Sequence, residues 1–154
     1  QRVMAQIVRI RTLGGMSSFL TFRTNAMWEQ KVHIRGTGLN KTLTGSGENK
    51  LHWSLPLGNR QGSWWVRAWY KSPGSNTWTP SDLKVFGFMH GPIRGQRAGA
   101  NDGGGDQDYN DADVTVVSVG LPFKIDRDAP GIQIDALGPE EFSEDHSDIA
   151  SIKP

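Results

Sequence analysis

Between positions 101 and 111 the chain reads Asn-Asp-Gly-Gly-Gly-Asp-Gln-Asp-Tyr-Asn-Asp, which places Asp102, Asp106, Asp108 and Asp111 just ahead of a Val-rich run. Without a counter-ion such a segment repels itself. A hard cation removes the conflict, and calcium accepts about six to eight oxygens from carboxylates, amides and backbone carbonyls in irregular geometry. Magnesium demands a stricter octahedron, and zinc or copper recruits His or Cys. The chain has no cysteine, and the nearest His before the loop is His90. Calcium is therefore the expected ion. Asp106, Asp108 and Asn110 alternate at i, i+2 and i+4 and can converge on one side, the glycines at 103–105 let the backbone curl, and Asp111 can bridge to a second ion. Counted from Asp106, an EF-hand needs Gly and an acidic residue where Asp111 and Val117 stand, which excludes that motif. The bland alternative is a solvated acidic turn that holds no metal.

The run Asp106-Gln-Asp-Tyr-Asn-Asp-Ala followed by a Val-rich segment resembles the calcium loop of the bacterial fucose-binding lectin II family. Lectins of that family are small β-sandwiches, dimeric or tetrameric, in which two calcium ions contact hydroxyls of fucose or mannose directly. The resemblance implies that Asp106, Asp108, Asn110 and Asp111 are calcium ligands, with Asp102, or Asn101 if a glycine is inserted, at the position of the family's acidic loop opener. The segment Phe19-Leu-Thr-Phe-Arg-Thr-Asn25 looks like the family's early strand, which makes Asn25 a ligand from a distance. The family's sugar-specificity loop is replaced by Ala26-Met27-Trp28, where Trp28 could stack on a sugar face. On this reading the sugar meets Asn25, Ala26, Met27, Trp28, Asp102, Asp106, Asp108 and Asp111. The family chain ends at a Gly whose carboxylate completes a neighbouring subunit's site, whereas here Gly120 is followed by 34 residues. The implied protein is a calcium-dependent lectin with two ions, a homo-oligomer, secreted or on the cell surface. No enzymatic activity is expected of it.

Such a loop needs rigid elements on either side. Gly and Pro punctuate the chain, and the pieces between them alternate with period two or form short apolar runs. Strands are expected at Met4–Leu13, Ser18–Arg23, Lys31–Arg35, Lys50–Leu55, Ser63–Tyr70, Leu83–His90 and Val114–Val119. About seven short strands predict an all-β chain, an antiparallel β-sandwich of Greek-key or jelly-roll type, with an open barrel as the structural alternative. In Trp64-Trp65-Val66-Arg67-Ala68-Trp69-Tyr70, Trp64 and Tyr70 are expected in the core, and Trp65 and Trp69 beneath a loop or neighbour. The alternative for these aromatics is a sugar-stacking platform.

Residues 1–120 carry 14 Lys/Arg against 8 Asp/Glu, and residues 121–154 carry 3 against 8. The sandwich is therefore assigned to 1–120, and 121–154 to an acidic C-terminal extension that adds a strand or an oligomer contact. No apolar run approaches the ~18 residues that span a bilayer, so membrane insertion is not expected. The chain opens on Gln without a basic-then-apolar leader, as a processed secreted product would. Three other functions compete with this one. The clustered carboxylates are committed to metal rather than acid-base work, and His33, His52, His90 and His146 are scattered, which argues against a hydrolase. A calcium-stiffened structural or adhesive module without sugar contact is the principal alternative. Arg9, Arg11, Arg23, Arg35, Arg67, Arg94 and Arg97 raise polyanion binding, but scattered arginines ordinarily form a solvated surface, and nucleic acid is not expected as a partner.

Overall fold

A computed structural model describes residues 5–12, 16–103 and 108–120. Within them the chain is built of strands: β1 (Val8–Arg11), β2 (Ser17–Gly36), β3 (Leu39–Gly58), β4 (Ser63–Lys71), β5 (Thr79–Pro80), β6 (Asp82–His90), β7 (Ile93–Asn101) and β8 (Ala112–Val119). Every pairing is antiparallel, in the order β1-β4-β2-β8-β7-β6, with β3 beside β2 and β5 beside β4. The all-β expectation holds.

The architecture turns on the two 20-residue strands β2 and β3. Along one edge β2 runs beside β3, paired through Ser18–Thr24 and Gln30–Gly36 with only Ala26 opposite Gly47 between them. Along the other it pairs β8 through Ser17–Thr24 and then β4 through Glu29–Gly36. A single sheet is thereby folded into two leaves that share a bent hairpin: β6-β7-β8 with the first part of β2, and β1-β4 with the second. The β2–β3 register shifts at Phe22/Arg23, Thr24/Ala26 and Ala26/Gln30, and such bulges are how a strand bends from one leaf to the next.

Alternation then fills the space between the leaves. Leu20 and Phe22 from one half of β2 meet Val32 and Ile34 from the other, together with Val8, Ile10, Trp64, Val66, Val85, Val114 and Val116, all at most 1% exposed. Trp64 lies in the core as expected and Tyr70 is half-buried, while Trp65 is exposed and Trp69 partly so.

Several expected boundaries need correction. Ser18–Arg23 and Lys31–Arg35 are parts of one strand, because the bulged stretch between them is bridged to β3 at Ala26 and pairing resumes at Gln30. Lys50–Leu55 is only the end of a strand that begins at Leu39. The expected strand Met4–Leu13 contracts to β1, although residues 1–4 and 13–15 lie outside the described set. The unexpected β7 is rich in Gly and Ala because several of its positions have no room for larger side chains: a Cβ on Gly95 would overlap Phe88 and the Val116 carbonyl, and one on Gly99 the Tyr109 carbonyl. The acidic extension 121–154 lies outside the described residues.

Candidate functional site

The acidic loop spans the gap between β7 and β8, at one end of the folded sheet. Both of its ends are pinned. Asp111 donates its backbone N–H to the Ala100 carbonyl (3.1 Å), and its own carbonyl accepts the Asn25 N–H (2.9 Å). Its carboxylate accepts the backbone N–H of Asp102 (2.8 Å), and Asn101 Oδ1 accepts that of Tyr109 (3.0 Å). Asp102 and Asp111 are 7% and 9% exposed, so two carboxylates of one loop are buried, an arrangement stable only with compensating partners.

Tyr109 anchors the far side of the loop. Its φ of 56° is a left-handed backbone, strained for an aromatic residue and kept only where the surroundings hold it. They do: the Arg97 guanidinium donates to its carbonyl, its hydroxyl donates to Asp82 Oδ2 (2.8 Å), and its ring is buried against Phe86 and beneath Lys84. The hydroxyl bond to Asp82, with burial and the Asp82 charge, pushes the phenol pKa up. Asp113, the next carboxylate along, leaves the loop for β8. Burial raises its pKa, against the hydrogen bond from Thr115 (2.8 Å) and the charges of Arg97 and Arg23.

The bend of β2 forms the opposite wall. Asn25 stands at its start, with Oδ1 accepting the Asn49 N–H of β3 (3.1 Å). Ala26 is buried, and Met27 points outward with 73% of its surface exposed. Trp28 lies stacked on Tyr70 of β4, with ring centroids 5.8 Å apart. A Cβ on Gly103, whose φ is +82°, would stand 2.9 Å from the Tyr70 hydroxyl, so this aromatic pair borders the acidic loop.

The expected residues are thus brought together in part. Asn25, Asp102 and Asp111 share one hydrogen-bonded corner. Asp108 and Asn110 lie next to it in sequence, with Asp108 Oδ1 accepting the Asn110 N–H at 3.4 Å. Asp106 lies outside the described residues. Among the described residues no three His, Asp or Glu side chains form a group that holds a metal unaided, so Asp106 and the amide oxygens would have to complete any cage.

Two neighbours escaped the sequence reading, Tyr70 in its role beside the loop and Gln30. Gln30 is fully buried, and its amide nitrogen donates to Asp102 Oδ2 (3.3 Å) and the Trp28 carbonyl (3.2 Å). Its Oε1 is buried without a hydrogen-bond partner. The clue was available: Gln30 occupies the inward parity of Val32 and Ile34, where a polar side chain calls for an explanation. An orphaned amide oxygen beside two buried carboxylates is a donor set that suits a hard cation.

No family model matches the sequence, and no curated protein matches it by sequence. Solved structures do. The Ralstonia solanacearum high-affinity mannose-binding lectin is 27% identical with a TM-score of 0.53, covering 73% of this chain and 96% of that one. The Chromobacterium violaceum lectin CV2L, solved in complex with α-methyl-fucoside, is 19% identical with the same TM-score and coverage. The C-terminal domain of the BC2L-C lectin from Burkholderia cenocepacia is 22% identical with a TM-score of 0.51, covering 74% of this chain and 97% of that one. These structural neighbours are bacterial lectins, consistent with the family that the acidic loop resembles.

Proposed function

We propose that this chain is a calcium-dependent lectin that recognises a fucose- or mannose-like monosaccharide at the β7–β8 loop. One observation carries the reading: the folded sheet is shared with sugar-binding lectins over nearly their whole length, and the buried carboxylates Asp102 and Asp111 meet the bend of β2 at the end where the loop motif falls.

Asp102, Asp106, Asp108, Asn110 and Asp111, with Asn25 from β2, would hold two calcium ions. Bound calcium supplies coordination positions at which sugar hydroxyls replace water. The protein's own part is orientation. The 7%-exposed Asp102 takes its hydrogen bond from Gln30, Asp111 is fixed by the Asp102 N–H, and Tyr109 holds the turn between the two ends of the loop. Met27 and Trp28 stand on the β2 bend beside them, where Trp28, backed by Tyr70, offers a flat apolar wall to the carbon face of a pyranose. Nothing in this arrangement requires a bond to break, so the function is binding and not catalysis. We further propose that the chain acts outside the cell or at its surface, as a homo-oligomer.

Calorimetric titration with methyl-fucoside and methyl-mannoside, in calcium and then in excess chelator, tests the reading. Binding in calcium that chelator abolishes and calcium restores is the expected result. Calcium bound tightly with no response to any sugar of a broad panel would instead favour a calcium-stiffened structural module.

A further inference from the structure

The second leaf carries a feature that the loop does not use. Its strands, β1, β4, β5, the 29–36 stretch of β2 and the 39–45 stretch of β3, hold seven Lys or Arg against a single carboxylate, Glu29, so this leaf is strongly positive. Alternation decides where the cations go. Val32, Ile34, Val66 and Ala68 point into the core, which turns Lys31 and Arg35 of β2, and Arg67 and Lys71 of β4, to the outer face.

Register then sets their spacing. Lys31 stands opposite Trp69 and Arg35 opposite Trp65, while Arg67 lies two residues from each tryptophan and so diagonal to both β2 cations. Diagonal neighbours on an antiparallel pair are roughly 7–8 Å apart. Lys31, Arg67 and Arg35 therefore form a zigzag row of like charges. Glu29 pairs with Lys71 (3.3 Å), and no ion pair is found for Lys31, Arg35 or Arg67 among the described residues.

The tryptophans hold one end of the row. Lys31 Nζ sits 4.8 Å from the ring centres of both Trp69 and Trp78, and Lys71 Nζ 4.7 Å from that of Trp78. Cation–π contacts of this kind fix flexible ammonium groups before any ligand arrives, which lowers the entropy lost on binding. The same contacts occupy ring faces that nucleobases would need for stacking.

We infer that the outer face of β4 and the second half of β2 is a second, metal-independent site for an acidic polysaccharide, whose sulfate or carboxylate groups are taken by Lys31, Arg35 and Arg67. The guanidinium groups suit such planar or tetrahedral oxyanions in paired hydrogen bonds. Charge complementarity across a row, rather than a pocket, makes the ligand a polymer of repeated charge and not a monosaccharide. The site stands apart from the β7–β8 loop and does not depend on calcium.

Dextran sulfate is the probe, with neutral dextran and an oligo-deoxythymidylate as comparisons, each titrated in excess chelator. Dextran sulfate is expected to bind, with affinity falling as salt rises, and neutral dextran not to bind. Arg35→Gln/Arg67→Gln should weaken dextran sulfate at least tenfold and leave calcium-dependent monosaccharide binding unchanged. Lys31→Gln, read in the same way, covers the case in which the double variant fails to fold. Equal affinity in the variants, equal binding of neutral dextran, or tighter binding of the oligonucleotide would each overturn the proposal. Since the polyanion titrations are run without calcium and the monosaccharide titrations with it, failure here is distinguishable from failure of the lectin reading, on which nothing in this site rests.

Discussion

Gln30 shows how one buried amide can tune a site that it does not dominate. Its donor side serves Asp102 while its oxygen has no hydrogen-bond partner. In Gln30→Leu, a charge-assisted bond is lost, worth about 1.5–3 kcal/mol, but a buried unsatisfied oxygen of comparable cost is removed with it. The two offset in stability. In metal binding they add, because Asp102 loses the group that orients it, and loss of such outer supports weakens metal sites about 10- to 100-fold. Calcium titration of Gln30→Leu should therefore show that weakening, while urea unfolding in chelator moves by less than about 1 kcal/mol. A large loss of stability with unaltered calcium affinity would reverse the assignment.

His52 acts at the same scale, through pH. Its ring lies against Phe22 (5.3 Å) and its Nε2 is hydrogen-bonded to Thr24 (2.7 Å). Burial, and then the charge of Lys50, hold its pKa below the usual imidazole value. The folded state thus binds its proton less readily than the unfolded state, so stability falls as the pH drops through the window just below about 6.5. His52→Gln keeps a polar side chain without titrating. Its unfolding midpoint should fall less than that of the parent between pH 7 and pH 5, and parallel curves for the two proteins would remove His52 from the account.

At the scale of elements, the loop's geometry is set from beneath by β7. The Gly99 backbone lies directly against the Tyr109 carbonyl, which the Arg97 guanidinium also holds. A methyl group there meets backbone rather than a flexible side chain. Gly99→Ala should cost about 1–3 kcal/mol, the usual penalty of overpacking, and should weaken calcium binding as well, because the displaced atom belongs to the loop. Denaturant unfolding and calcium titration of that variant measure the two effects, and normal values for both would show that the loop shifts freely. The same close packing explains why β7 was illegible in the sequence. Gly95, Gly99 and its alanines meet a demand for thinness that periodicity does not encode, whereas Trp64-Trp65-Val66-Arg67, with ordinary side chains on two faces, displayed its strand and its inward residue plainly. The β2 bend differs from the expected loop for a related reason: its composition resembles a loop and only Ala26 pairs with β3 there, but the strand resumes at Glu29 against β4 and at Gln30 against β3.

For the whole molecule, the acidic loop is a fastener as well as a candidate site. It closes the β7–β8 hairpin of one leaf and, through the Asn25 N–H on the Asp111 carbonyl, reaches the bend where β2 passes into the other. The carboxylate cluster was legible in the sequence because its density needs no tertiary structure to be seen. Gln30 and Tyr70 were not, since they arrive from strands remote in sequence and meet the loop only when the sheet folds. Removing calcium should therefore unfasten both leaves without abolishing them, because the apolar core runs from Val8 to Val116 independently of the loop. A ligand at a hundred times its Kd stabilises the folded state by about 2.7 kcal/mol, which for a domain of this size corresponds to roughly 5–10 °C in Tm. Thermal unfolding followed by circular dichroism should show that drop when chelator replaces calcium, with the β-sheet signal before the transition unchanged. Asp108→Ala should unfold at the lower temperature under both conditions. If the parent protein instead melts at one temperature with and without calcium, the loop neither fastens the leaves nor holds the ion, and the lectin reading loses its metal.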